Sequence, residues 1–170
     1  NRAYFCSLLC IVGLVIILNN PKQFHSSNKR QLCILGSTGS IGRSTLDVVR
    51  LHPDKFTIVS LSANSSVDII FEQCVEFRPK EVVLVSDEYA RLLRDKLLAE
   101  NIENINVKSG VEALSEIAQS PQIDTVMAAI VGASGLTPTF AAVNAGKRVL
   151  LANKEALVTS GAIFMAAVKV

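Results

Sequence analysis

Three glycines lie three residues apart in Gly36-Ser37-Thr38-Gly39-Ser40-Ile41-Gly42, directly after the apolar run Gln31-Leu32-Cys33-Ile34-Leu35. The residues that follow, 41 to about 51, carry helical periodicity. A strand, a glycine-rich turn and a helix in that order make a cradle for a phosphorylated dinucleotide. Glycine lets the backbone approach a pyrophosphate closely and tolerates unusual backbone angles. The helix N-terminus then offers free N–H groups and a partial positive charge to the anion. The spacing is G-x-x-G-x-x-G rather than the commoner G-x-G-x-x-G. A structural turn is the alternative reading, and the position at the first strand of an alternating β/α pattern favours the nucleotide site.

The elements that must hold this turn follow from periodicity. Strands are expected at 31–35, 57–61, 81–85, 105–108, 125–130 and 148–151. Between them, helices are expected at 41–51, from about 67 to 78, and at 87–99, 111–119 and 137–145, with a last helix at 155–168. The second helix has Val67, Ile70, Phe71, Cys74 and Val75 on one face, and Ser65 with Asp68 is spaced like a capping box. Strands joined by helical crossovers predict an α/β fold, a doubly wound parallel sheet of Rossmann-like type covered on both faces. Such sheets bind ligands at the carboxyl ends of their strands. That rule selects 36–42, 63–66, 130–135 and 153–155.

Composition narrows the partners. The 170 residues carry 17 Lys+Arg against 15 Asp+Glu, with no tryptophan and 5% aromatics, so nucleic-acid binding has no electrostatic or stacking support. Cys6, Cys10, Cys33 and Cys74 form no C-x-x-C pair, and Cys33 and Cys74 fit as reduced core residues. His25 and His52 are isolated, and no cluster of metal-ligating residues stands in the chain.

Residues 1–28 differ from the rest. Positions 3–18 (AYFCSLLCIVGLVIIL) are almost wholly apolar, somewhat short for a bilayer span, and precede a polar stretch from Pro21 to Asn28. A signal peptide or membrane anchor is one reading. The favoured one is a leader and linker outside the fold, ahead of an intracellular domain that starts at 29.

The end of the second strand bears on cofactor choice. An acid there would accept hydrogen bonds from the ribose 2′-hydroxyl of NAD. Ala63-Asn64-Ser65-Ser66 stands there instead, with neutral groups able to donate to a 2′-phosphate, which leans toward NADP. Helix capping by Ser65 and Ser66 is the alternative role. No Arg or Lys lies in that turn.

Two further segments are specific. They are Val126-Met127-Ala128-Ala129-Ile130-Val131-Gly132-Ala133 and Leu150-Leu151-Ala152-Asn153-Lys154-Glu155-Ala156-Leu157-Val158. With the glycine turn and Ser44-Thr45-Leu46-Asp47-Val48-Val49-Arg50, they closely resemble the 1-deoxy-D-xylulose 5-phosphate reductoisomerase family over about residues 29–170. The resemblance implies an enzyme that rearranges a phosphosugar and reduces it with NADPH to 2-C-methyl-D-erythritol 4-phosphate, in the non-mevalonate route to isoprenoid precursors. It implies a divalent metal, manganese or magnesium, that polarises substrate oxygens. It also implies a cytoplasmic homodimer, with a plastid-type organelle as the other location.

By position, the resemblance assigns Gly36, Thr38, Gly39, Ser40, Ile41 and Gly42 to the pyrophosphate. It assigns Asn64, Ser65 and Ser66 to the adenosine ribose and its 2′-phosphate. Asn153 and Glu155 go to the nicotinamide half, and Lys154 to the substrate. Many relatives have Gly-Lys-Asn where this chain has Asn64-Ser65-Ser66, so the lysine contact is missing here. The family's metal-binding Asp-Ser-Glu motif and catalytic domain lie downstream of Val170. Residues 29–170 are therefore expected to be the NADPH-binding domain, with no catalytic residue and no metal ligand. Two other readings stay open on the sequence. One is an NADP-dependent oxidoreductase of semialdehyde-dehydrogenase type, which leaves Asn153-Lys154-Glu155 unexplained. The other is a non-enzymatic nucleotide-sensing module.

Overall fold

A computed structural model describes Ile16–Leu18 and residues 29–152. After β1 (Ile16–Leu18) come β2 (Arg30–Leu35), α1 (Ser40–Leu51), β3 (Phe56–Ala63), α2 (Val67–Phe77), β4 (Glu81–Leu84), α3 (Asp87–Ala99), β5 (Asn106–Ser109), α4 (Val111–Gln119), β6 (Thr125–Ala128), a 3-10 turn (Ala133–Gly135), α5 (Leu136–Asn144) and β7 (Arg148–Leu151). They build one sheet in the order β1-β7-β6-β2-β3-β4-β5. β2 to β7 are mutually parallel. The doubly wound parallel sheet expected from the sequence is present.

The strand order fixes where a crevice can form. From β2 the chain steps outward through β3, β4 and β5, then returns to the other side of β2 with β6 and β7. The direction of winding reverses between β2 and β6, and the connections leaving their carboxyl ends part to opposite faces. One apolar layer holds Leu46 and Val49 of α1, Ile70 and Cys74 of α2, and Leu93 and Leu97 of α3 against the sheet. The other holds Leu114 and Ile117 of α4 with Ala142 and Val143 of α5. Strands covered on both faces read as continuous apolar runs, and β6 is buried along its whole length.

β3 is longer than its apolar run because two serines interrupt it. Leu32 stands opposite Ile58, but the next residue, Cys33, stands opposite Ser60, so Val59 is an extra residue in β3. Ile58 and Leu61 consequently face the same layer although they are three apart. Strict alternation would have put them on opposite faces. The bulge thus sets which way Ser62 points at the strand's carboxyl end. It also leaves Ser60 Oγ buried with no hydrogen-bond partner.

Two expectations need correction. Residues 1–28 were expected to lie outside the fold, yet Ile16–Leu18 runs antiparallel to β7, with Ile16 opposite Leu151 and Leu18 opposite Val149. β7 ends the parallel sheet on that side, and its outer N–H and C=O groups need partners or water. The backbone of the apolar triplet Ile16–Leu18 meets that need. The Ser65–Asp68 capping box does not form either. Ser66 is the residue before α2, no side chain caps that helix, and Asp68 pairs instead with Lys96 of α3. The last expected helix, 155–168, lies outside the described residues.

Candidate functional site: the carboxyl ends of β2, β3 and β6

Leu35 ends β2 fully buried, and Gly36 follows with φ +83°. L side chains rarely adopt that conformation. Space adds a second constraint, since a Cβ at Gly36 would sit 3.0 Å from the carbonyl oxygen of Ala129. The turn after β2 therefore presses on the exit of β6, the two sides of the winding reversal.

Gly42 is buried in the first turn of α1. A Cβ there would lie 2.3 Å from Gly36 O and 2.6 Å from Ser37 Cα, both backbone atoms. Gly39 is different. It precedes α1 with φ −74° and ψ 170°, is exposed, and the nearest heavy atom to a Cβ there is 3.6 Å away. Two glycines of the motif thus serve close packing, while the middle one borders open space. That middle position is where a phosphate would approach the helix.

The helix end itself is left uncompensated. No side chain caps α1 and its first turn holds no acid, whereas α2, α3 and α4 carry Asp68, Asp87 with Glu88, and Glu112 in theirs. The first N–H groups of a helix have no intrahelical acceptor. Here they face outward beside Gly39 and Ser40, both exposed. Thr38 and Ile41 are half-buried, and Ile41 packs on the core.

A buried polar network holds the turn from behind. Ser37 is fully buried, its N–H donates to Ser62 O at 2.8 Å, and its hydroxyl donates to Gln73 Oε1 at 2.6 Å. The same hydroxyl lies 3.2 Å from Ser62 O. Gln73 Nε2 returns a bond to Ser37 O at 3.0 Å, and Gly36 N–H donates to Ser62 Oγ at 3.0 Å. Gln73 is 5% exposed and projects from α2. Ser37, Ser62 and Gln73 had no place among the expected site residues. The signal for Gln73 was present, for it is a polar residue on the apolar stripe of its helix, adjacent to Cys74.

Asn64 and Ser65 are exposed at the carboxyl end of β3, and Ser66 is half-buried. With no cap bond from Ser66, the hydroxyls at this corner are not committed to the helix. Across the reversal, Val131 in the loop after β6 is 80% exposed, and Gly132 takes φ +82°. The structure therefore gathers 36–42 and 64–66 on one edge of the sheet. Asn153, Lys154 and Glu155 lie outside the described residues. They follow Ala152, whose N–H donates to Ala128 O at the same carboxyl edge.

Cys33 and Cys74 take no part. Burial raises both thiol pKa values, that of Cys74 to about 12, so each stays protonated and inert at neutral pH.

The sequence profile of 1-deoxy-D-xylulose 5-phosphate reductoisomerase matches residues 32–161. The chain belongs to this family. Among curated relatives, the reductoisomerase of Colwellia psychrerythraea is 72% identical over 142 residues, 84% of this chain and 34% of the relative. That of Methylococcus capsulatus is 58% identical over 137 residues, 81% of this chain and 35% of the relative. The chain thus spans about a third of the length of the relatives it matches. Among solved structures, the Zymomonas mobilis reductoisomerase in complex with NADPH superposes with a TM-score of 0.77 at 35% identity, covering 83% of this chain and 36% of that one. A reductoisomerase in complex with NADPH, fosmidomycin and magnesium gives 0.78 at 45% identity, covering 82% and 34%. Family membership favours the reductoisomerase reading over a semialdehyde-dehydrogenase-like one.

Proposed function

We propose that this chain is the NADPH-binding portion of a reductoisomerase that converts 1-deoxy-D-xylulose 5-phosphate to 2-C-methyl-D-erythritol 4-phosphate. The observation that carries the reading is the free N-terminus of α1 beside open Gly39, at the winding reversal, in a chain whose relative of the same fold was solved with NADPH. NADPH, when bound, supplies the hydride for the reduction. The residues of this chain bind and orient it. Backbone N–H groups at 40–42 take the pyrophosphate, Gly36 and Gly42 let the turn close tightly, and Asn64, Ser65 and Ser66 face the adenosine ribose. Asn153 and Glu155 go to the nicotinamide half and Lys154 to the substrate phosphosugar. The divalent metal, magnesium in the solved relatives and manganese as the alternative for this chain, has no group of three or more candidate ligands among the described residues, and no step is routed through it. A cytoplasmic homodimer completes the proposal.

The test is titration of the 170-residue chain with NADPH and with NADH, followed by nicotinamide fluorescence. Tighter binding of NADPH is expected. Equal affinities, or no binding of either nucleotide, would refute the reading.

A further inference from the structure

Asn64, Ser65 and Ser66 offer only neutral donors to a 2′-phosphate dianion. We infer that Arg43 supplies the missing cation, so that the 2′-phosphate is clamped between the first turn of α1 and the carboxyl end of β3. This rests on the NADPH reading above and names what in this chain makes that site selective.

The position of Arg43 follows from a contact two turns away. Arg50 Nε and Nη2 donate to Glu76 Oε1 and Oε2 of α2 at 2.5 and 2.6 Å, and the Arg50 guanidinium lies 5.2 Å from the centre of the Phe77 ring. The stripe of α1 that carries Arg50 therefore faces α2. Arg43, seven residues earlier, stands on the same stripe, about 10 Å nearer the helix N-terminus. Because α1 and α2 both cross between parallel strands on one face of the sheet, they run in the same direction. Seven residues before Glu76 is Ile69, three residues past Ser66, or about 4.5 Å along the axis. Helical side chains lean toward the N-terminus of their helix. An extended Arg43 therefore projects along the groove toward the corner formed by 64–66.

Local electrostatics support a free charge there. Arg43 is exposed, and no partner holds its guanidinium among the described residues. Of the acids near it, Asp47 is engaged by Arg50 and Asp68 by Lys96, and Glu72, one turn before Glu76 on α2, is exposed with no cation on it among the described residues. A guanidinium matches a phosphate monoester with two parallel donors, which hydroxyl and amide groups alone cannot do.

The experiment compares the parent chain with Arg43→Ala and Arg43→Lys, titrating each with NADPH, NADH, 2′,5′-ADP and 5′-AMP at two salt concentrations. Arg43→Ala should weaken NADPH and 2′,5′-ADP by about tenfold to a hundredfold. NADH and 5′-AMP should be unchanged. Arg43→Lys should recover part of the loss, since it keeps the charge without the fork. The salt dependence of NADPH binding should be shallower in Arg43→Ala. Equal loss for phosphorylated and unphosphorylated nucleotides would make Arg43 a structural residue and overturn the inference, as would no loss for any of them. If the parent binds no nucleotide, the NADPH reading itself falls and takes the inference with it.

Discussion

Gly39 and Gly42 belong to one motif but should fail in opposite ways. At Gly42 an added Cβ meets Gly36 O at 2.3 Å and Ser37 Cα at 2.6 Å. Ordinary contact begins near 3.4 Å, so the turn would have to retreat by 3.4 − 2.3, about 1.1 Å. The neighbours are backbone and cannot rotate away. That retreat would break Gly36 N–H to Ser62 Oγ and Ser37 N–H to Ser62 O, now 3.0 and 2.8 Å. Overpacking costs about 1–3 kcal/mol and each lost bond about 1 kcal/mol. Gly42→Ala should therefore lose roughly 3–5 kcal/mol, a fall in Tm on the order of 10 °C for a chain of this size. Gly39→Val should keep its stability within about 1 kcal/mol. Its φ of −74° and ψ of 170° suit a β-branched residue, and nothing lies closer than 3.6 Å to the new Cβ. Its isopropyl group would occupy the approach to the helix N-terminus, and NADPH affinity should fall at least about a hundredfold. The assay is thermal unfolding with and without NADPH. The parent should gain Tm from the ligand, Gly39→Val should melt like the parent but gain nothing, and Gly42→Ala should melt early in both conditions. A Gly39→Val chain that NADPH stabilises as it does the parent would refute the assignment of the open side to the cofactor. A Gly42→Ala chain with parental Tm would refute the steric argument.

The other predictions concern groups behind the site. Gln73→Leu orphans Ser37 O in the core and should cost about 1–3 kcal/mol in urea unfolding, with weaker NADPH binding at every pH. Gln73→Glu should bind NADPH poorly near pH 8, where an ionised carboxylate has no proton to donate to Ser37 O, and should regain affinity relative to the parent as falling pH protonates it; a parent-to-variant ratio independent of pH would sink this account of the network. The buried thiols give an alkaline signature: burial holds their folded pKa values above the ordinary thiol value of 9.0, so their contribution is complete below pH 9 and is lost as pH rises, at about 1.4 kcal/mol per pH unit for each thiol. Unfolding midpoints between pH 8.5 and 10.5 should fall more steeply in the parent than in Cys33→Ala, and equal slopes would count against burial as the cause.

What the sequence disclosed followed from how local the cause was. Gly36 is required by its positive φ and Gly42 by contacts with Gly36 and Ser37 within six residues, so their spacing alone pointed to the turn, while the close approach of Gly36 to Ala129 was not local. The helices of one buried stripe each, α1 to α4, were legible because one apolar face per 3.6 residues is a local pattern. The strand order was not, since pairing β6 beside β2 joins residues about 93 apart, as between Leu32 and Thr125. β3 was read as 57–61 and runs Phe56–Ala63, because the bulge at Val59 spoils the alternation that marks a strand. The Ser65 cap was misread because Ser65 and Ser66 are equally good capping types, and tertiary packing decided where α2 starts.

Ser37, Ser62 and Gln73 were missed for a reason that bears on what they do. Each is a polar residue in a buried place, and composition reads such residues as solvated or as caps. Buried polar groups are costly when unpaired, so a cluster of three that satisfies itself behind the turn must be specified by its geometry. The bulge at Val59 orients Ser62 and packing of α2 on the sheet orients Gln73. Between them they fix both N–H and C=O of Ser37. The free side of the turn, from Gly39 to Gly42, carries no such side-chain support and is open to solvent at Gly39 and Ser40. A rigid back and an open front are what an anion site at a helix N-terminus requires. The backbone donors are held in place before the ligand arrives, and little ordering cost remains to be met on binding.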